Sequence, residues 1–405
     1  MVTNRQLILI ACFLTVFTSY AIRYGYGVLL PEMLDSLDIT KAEAGVIFSS
    51  FFIAYTVSSP VLGLLGDRWN ARWLLFSFVA ILGIGAFFMS YASSILSASF
   101  IYALAGVGAS ACWAPVMSLA QRWTSQKSIG TTLAIIDIGS ALGLIGTGAV
   151  MPLVVAAWDW QTGWVFLGAL GFLVAAFNFL VIRDRPPQFE NRGEAARKRP
   201  PPVKTTITAL LRDVRFWLFG MAYLLTGFSI LIPFTFLSTY AVQGLDFSYE
   251  IAANLLTAIG IGAIISKAAF GPLSDRIGRL RVMMLCAVFI AGGSLGMVFA
   301  DGIWLFVTSV VFSLGYGVIW AMYAAAASDY FPRESAGTTV GLWTVFLGVG
   351  SILSPIVSGW IADTTGNLAW SFALAAGAGL LSFLFLIPMG DRRGNNIIRF
   401  LIKGE

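Results

Sequence analysis

Gly63-Leu64-Leu65-Gly66-Asp67-Arg68-Trp69-Asn70-Ala71-Arg72 and Gly271-Pro272-Leu273-Ser274-Asp275-Arg276-Ile277-Gly278-Arg279 are two versions of one polar turn. They interrupt a chain that is otherwise strongly apolar. Their aspartates, Asp67 and Asp275, stand 208 residues apart, about half of the 405-residue chain. Each turn follows the second apolar stretch of its half. A duplication on this scale, with matching loops, implies two bundles of six helices each.

The composition agrees. The chain is 58% hydrophobic and 11% charged, where a soluble domain carries about 25% charge. It therefore reads as a polytopic all-α integral membrane protein. Twelve stretches reach the ~20 residues needed to cross hydrocarbon. They lie near 7–30, 43–65, 73–94, 97–120, 130–156 and 163–183, then near 216–241, 250–272, 281–300, 303–327, 337–361 and 367–388. Residues 1–183 form the expected N-terminal six-helix bundle and 216–405 the C-terminal one. Between them, 184–215 is polar, proline-rich and basic, which predicts a solvated cytoplasmic linker with a short amphipathic end. The 42 glycines sit inside apolar runs, where small residues let helices approach closely. Cys12, Cys112 and Cys286 lie in apolar stretches without metal-ligand spacing and read as small core residues. No metal site or cofactor is expected. The first apolar run is too long for a signal-peptide core, so no cleaved leader is expected.

Basic residues set the orientation. With both termini cytoplasmic, the inner loops and ends hold Arg5, Arg68, Arg72, Arg122, Lys127, nine cations of the central linker, Arg276, Arg279, Arg281, Arg333 and four C-terminal cations. The outer loops hold only Lys41. This is the positive-inside pattern of a multi-pass inner-membrane protein. It also accounts for the net charge of +5 without a nucleic-acid partner; the bilayer is the expected surrounding and the expected state is a monomer. Two cations remain, Arg23 and Lys267, each inside a span. A charge there costs from about 3 kcal/mol to well above 10, and function is the usual reason to keep one.

A short turn needs a residue that tolerates positive φ. Gly278 serves in the second copy and Asn70 is the expected substitute in the first. Asp67 and Asp275 stand near helix ends, where arginines and helix N-termini can pair with them. This loop is the hallmark of the major facilitator superfamily, which the chain resembles over its full length. The resemblance implies a gate built from Gly63, Asp67, Arg68, Arg72, Gly271, Asp275, Arg276, Gly278 and Arg279, and a cavity lined by helices 1, 4, 7 and 10. The first copy departs from the pattern at Asn70 and Ala71.

Within that superfamily, AIRYGYGVLLPEM and AGVIFSSFFIAYTVSSPVLGLLGDRW resemble the first two helices of anion:cation symporters, which carry organic anions and usually have an arginine at the position of Arg23. Ile22 stands where an acid often precedes it. The second half, including SKAAFGPLSDRIGR, resembles monocarboxylate transporters and oxalate/formate exchangers. There, a cation four residues before the motif glycine binds substrate carboxylate, and Lys267 occupies that position. Ala263 stands where those families carry an acid.

These features converge on a small organic anion, a mono- or dicarboxylate, as cargo, with a proton or sodium ion as coupling cation. Arg23 and Lys267 are the expected anion-binding cations. Tyr20 and Tyr26 flank Arg23 and suit guanidinium and ring contacts. Trp113, Tyr240, Trp320 and Tyr323, with Trp343 and Phe346, are the uncharged candidates for the cavity wall. Asp137 is the acid placed well inside a span and the expected coupling group, since the chain contains no histidine. Asp329 and Glu334 read as loop-edge residues. Two cations and one acid suit a monoanion while Asp137 is ionised and a dianion once it is protonated. A drug or cation exporter would instead need buried acids and few buried cations. A membrane sensor would bind without moving its ligand. An enzyme would need a nucleophile–base pair, which no motif supplies.

Overall fold

The computed structural model describes residues 4–66, 69–125, 128–183, 203–332 and 335–389. Asp67, Arg68, Arg333 and Glu334 lie outside them. The described residues form α1 (Asn4–Leu37), α2 (Lys41–Gly66), α3 (Ala71–Met89), α4 (Ile95–Ala109), α5 (Ala114–Arg122), α6 (Ile129–Ala157) and α7 (Trp160–Val181). They continue with α8 (Val203–Leu211), α9 (Val214–Leu245), α10 (Tyr249–Ile277), α11 (Arg279–Phe299), α12 (Ile303–Tyr330), α13 (Ala336–Thr365) and α14 (Ala369–Leu386). With α4 and α5 counted as one span, twelve stretches are long and apolar enough to cross a membrane. Between their ends, helices meet their own backbone bonds, which hydrocarbon demands. Their outer faces are as greasy as their inner ones: Phe100 and Leu153 are about 70% exposed and Phe299 is 81% exposed. The interior also holds hydroxyls, with Thr15, Thr18, Ser19, Ser140 and Thr147 all buried. An apolar outer surface of this extent faces lipid.

The fourth span is broken, where its apolar run reads as continuous. Pro115 stands in the first turn of α5. It has no N–H, and its ring clashes with the carbonyl four residues back, which is Ala111. Trp113 takes up the break at φ −120° and ψ −76°. The N–H groups of Ser110 and Cys112 turn back tightly to Val107 and Ala109, at 3.3 and 3.0 Å.

The expected turn chemistry holds in one copy. Gly278 heads α11 at φ +94°, the left-handed region that suits glycine. Asn70 does not follow: it is extended at φ −66° and ψ 125° and caps α3, its side chain accepting the Arg72 N–H at 2.9 Å. A capping oxygen works from extended backbone, so the left-handed form is not needed. A second pair carries the repeat instead. Asp38 after α1 and Asp246 after α9 have φ of +50° and +55° and again stand 208 residues apart.

The chain divides into two compact units that do not follow its halves. Unit 1 comprises Met1–Ala195, Phe234–Ile261 and Pro355–Leu368; unit 2 comprises Ala196–Pro233, Gly262–Ser354 and Ala369–Glu405. In unit 1, one end of the core joins Ile8 and Cys12 of α1 to Leu75 of α3, Leu119 of α5 and Ile136 of α6. At the other end, parts of α9, α10 and α13 close on the N-terminal helices through small residues. A Cβ at Gly27 of α1 would run into the Phe234 carbonyl of α9. Gly148 of α6 leaves room for Thr257 of α10, whose hydroxyl donates to the Ile145 carbonyl at 3.3 Å. In unit 2, Gly293 of α11 lies against Phe312 of α12, and Ser229 of α9 donates to the Ala375 carbonyl of α14 at 2.6 Å. Arg279 donates to both oxygens of Asp329, at 2.6 and 2.7 Å, tying the start of α11 to the end of α12.

These crossings predict stability. Gly106 of α4 sits against the Phe51 carbonyl of α2, while a Cβ at Gly377 of α14 meets nothing within 4 Å. Gly106→Ala forces the helices apart at about 1–3 kcal/mol. It lowers the melting temperature of the purified protein, and Gly377→Ala leaves it level or raises it.

Candidate functional site

Arg23 lies past the middle of α1, where every neighbour in sequence is apolar or aromatic. The side chain is only 8% exposed. Its guanidinium is ringed by aromatics from two helices of unit 1. The Cζ atom is 4.8 Å from the centre of Tyr55, 5.1 Å from Tyr20, 5.3 Å from Phe51, 5.7 Å from Phe52 and 6.0 Å from Tyr24. Helical spacing explains the set. Tyr20 precedes Arg23 by one turn, and Phe51 and Tyr55 stand one turn apart on α2. Tyr102 of α4 donates to the Arg23 backbone carbonyl at 2.7 Å and fixes the segment.

Ring faces attract a cation by about 0.5–2 kcal/mol each. They do not replace a carboxylate, which takes up guanidinium N–H bonds two at a time. Among the described residues, the Arg23 Nε finds no hydrogen-bond acceptor and Arg23 has no ion pair. The arrangement keeps a buried cation in place and leaves it a donor to spare.

Around this core the structure gathers two further expected residues. The Tyr20 ring is 6.3 Å from the Trp113 ring, which stands at the break between α4 and α5. Asp137, partly buried on α6, acts electrostatically on Tyr20. Its backbone carbonyl accepts the Ser140 hydroxyl at 2.7 Å. Arg23, Tyr20, Trp113 and Asp137 therefore form one neighbourhood inside unit 1. Tyr26 is placed differently. It is fully buried, stacked on Tyr102 at 5.1 Å, and its hydroxyl donates to the Ala44 carbonyl at 2.8 Å. Tyr240 of α9 is also buried in unit 1 and lies over Gly244.

Unit 2 holds Lys267, half-buried on α10. One turn earlier Ala263 is fully buried, with its backbone against Gly317 of α12. An acid at that position would have to part the two helices, which explains the alanine. Ile22 is explained in the same way: it is buried, and its side chain reaches Gly171 of α7. Tyr323 is stacked on Tyr223 at 4.0 Å, and its hydroxyl is 3.2 Å from that of Thr226. Trp320 is partly buried, 5.8 Å from the Tyr223 ring. Trp343 is buried and donates its N–H to the Phe216 carbonyl at 3.0 Å, and Phe346 lies against Gly220.

The turn residues are partly described. Gly63 is helical within α2, and Asp67 and Arg68 lie outside the described residues. Arg72 stands over the Phe179 ring at 4.3 Å and donates to the Phe179 carbonyl near the end of α7, a favourable place for a cation. Gly271 is helical, and Asp275 and Arg276 are exposed at the end of α10. The three cysteines are buried and free. Among the described residues, no group of three His, Cys, Asp or Glu side chains is placed to hold a metal.

Sequence reasoning missed Tyr24, Phe51, Phe52 and Tyr55. The signal for α2 was present in SSFFIAY, where residues 51, 52 and 55 share one face of a helix.

The Major Facilitator Superfamily profile matches residues 12–268 and 245–398. The chain is 23% identical over 396 residues to the hexuronate transporter of Bacillus subtilis, covering 94% of this chain and 93% of that one. It is 25% identical over 421 residues to the probable sulfoacetate transporter SauU of Cupriavidus necator, covering 96% and 95%. It is 23% identical over 411 residues to the membrane sensor protein UhpC of Escherichia coli, covering 93% and 90%. The crystal structure of the nucleoside transporter NupG superposes with a TM-score of 0.77 at 17% identity, covering 96% of this chain and all of that one. Twelve membrane-length helices, a duplicated polar turn and a match along both halves have one explanation: the chain belongs to the major facilitator superfamily.

Proposed function

We propose that this protein is a secondary transporter that moves a small organic anion, a mono- or dicarboxylate, across the inner membrane by alternating access. The observation that carries the reading is Arg23: a buried guanidinium held by five rings, with an Nε donor that no described residue accepts. A carboxylate or a sulfonate would supply the missing acceptor. The relatives named for a hexuronate and for sulfoacetate support an acidic cargo. Lys267 is assigned the second anion-binding role, from the other half of the repeat. Tyr20 and Trp113 supply the ring contacts beside Arg23.

The bundles 1–183 and 216–405 are assigned as the two moving bodies, joined by 184–215, with the duplicated turns as their gate. The cargo's charge and a coupling proton or sodium ion would cross together. Asp137 is assigned as the coupling group, because it combines partial burial with reach to Tyr20. The protein is assigned as a monomer with both termini in the cytoplasm. The sensor reading is favoured by relatives named UhpC and is separated by movement of the ligand.

Uptake into proteoliposomes tests the function. Thermal-shift screening of sugar acids, sulfonates, monocarboxylates and dicarboxylates selects the substrate. The wild type accumulates it, whereas a sensor binds it without uptake. Arg23→Ala weakens apparent affinity by roughly 30-fold or more, the effect of removing one side of a buried charged contact. Arg23→Lys recovers only part, since an ammonium lacks the planar fork. Normal uptake by both Arg23→Ala and Lys267→Ala sinks the proposal.

Coupling has its own readout. Asp137→Asn makes uptake indifferent to an imposed pH or sodium gradient while substrate exchange persists. An unchanged gradient dependence removes Asp137 from that role. For topology, a fluorescent protein fused to the C-terminus is expected to light up in a bacterial host, and alkaline phosphatase fused there to stay inactive. The reverse pattern would overturn the cytoplasmic placement.

A further inference from the structure

The N-terminus of α2 has a bond account that closes only with help from a distant helix. The first four N–H groups of any helix lack partners within it. Thr40 caps α2, and Glu43 completes a capping box. The Thr40 N–H donates to the Glu43 carboxylate at 2.8 Å, and the Glu43 N–H donates to the Thr40 hydroxyl at 3.2 Å. The Ala44 N–H starts the helical ladder on the Thr40 carbonyl at 3.0 Å. Two donors are left, on Lys41 and Ala42. Both go to Asp363, near the end of α13 and more than 300 residues along the chain. Lys41 donates to Oδ1 at 3.1 Å and Ala42 donates to Oδ2 at 2.8 Å. A carboxylate at a helix N-terminus also meets the positive end of the helix dipole.

Two glycines make the reach possible. Pro355, Gly359 and Asp363 follow each other at one-turn intervals on one face of α13. A Cβ at Gly359 would run into the Lys41 carbonyl, and a Cβ at Gly45 of α2 would run into the Pro355 carbonyl. The two backbones therefore touch over two turns, and a side chain as short as aspartate spans what is left. Asp363 is exposed, so water competes for its bonds and the contact can be made and broken. All of these residues lie in unit 1, yet α13 otherwise belongs to unit 2 down to Ser354.

We infer that Asp363 is a latch. By capping α2 from α13, it holds this end of unit 1 shut. Losing it shifts the protein toward a state in which α2 and α13 part there. The inference rests on the alternating-access reading for its purpose, but its measurement needs no substrate. Gly45 and Gly359 set the distance at which the latch closes. Asp363→Glu keeps the charge and misplaces it by one methylene.

The test uses the full chain in nanodiscs, with spin labels at Ser36→Cys and Asn367→Cys in a background lacking Cys12, Cys112 and Cys286. Pulsed electron-spin distances are read without ligand. The wild type is expected to show mainly a short distance. Asp363→Ala moves most of the population to a longer one, Asp363→Glu moves part, and Asp363→Asn falls between wild type and Ala. If Asp363→Ala does not yield folded protein, Asp363→Asn decides. A distance distribution like the wild type's in the folded variant overturns the latch. Absence of anion uptake by a wild type whose latch responds counts against the transport reading alone.

Discussion

In hydrocarbon, a backbone N–H or carbonyl without a partner costs several kcal/mol. The rest of this structure follows from that constraint. It makes every span a helix, and it restricts where a helix can stop. The break in the fourth span is held by tight local bonds on either side of Pro115. The start of α2 has two donors left over, and α13 brings a carboxylate to them. Where such side chains come from decides which helix ends can separate.

The same economy of partners governs charge. Among the described residues Arg23 has no ion pair, and aromatic faces hold it instead. Rings are a suitable holder for a group proposed to meet an anion. A fixed carboxylate would neutralise the site permanently, whereas a ring cage leaves hydrogen-bonding capacity unspent. The break at Trp113 and the acid Asp137 border that cage, so an aromatic holder, a helix break and an acid occur together.

Much of this was legible in the sequence. Hydropathy placed the spans, and the paired turns at Asp67 and Asp275 announced the repeat. Gly278 takes the positive φ expected of it, because a turn of that kind suits one residue type above others. Asn70 has two uses, and the structure chose capping over a left-handed turn. Arg23 stood out as a cation with no local reason to be there. Its cage was harder to read, since Phe51, Phe52 and Tyr55 look like ordinary lipid-facing aromatics until α2 is set against α1. Tyr26, three residues from Arg23, is turned to Ala44 and Tyr102. Spacing along one helix does not say which neighbour each face will meet.

By itself, then, the sequence determined that the chain enters a membrane, how many times it crosses and that its halves correspond. These are properties of composition, length and local turn chemistry, and they need no partner helix. Only the tertiary structure decided which rings surround Arg23, why the sites of Ile22 and Ala263 have no room for an acid, and that Asp363 completes the start of α2. Each of those depends on backbones brought within touching distance by glycines such as Gly45, Gly359 and Gly317. A glycine in an apolar run looks the same whether it faces lipid or another helix. Its meaning is set by a surface from elsewhere in the chain, because close contact belongs to two helices and is encoded in neither one alone.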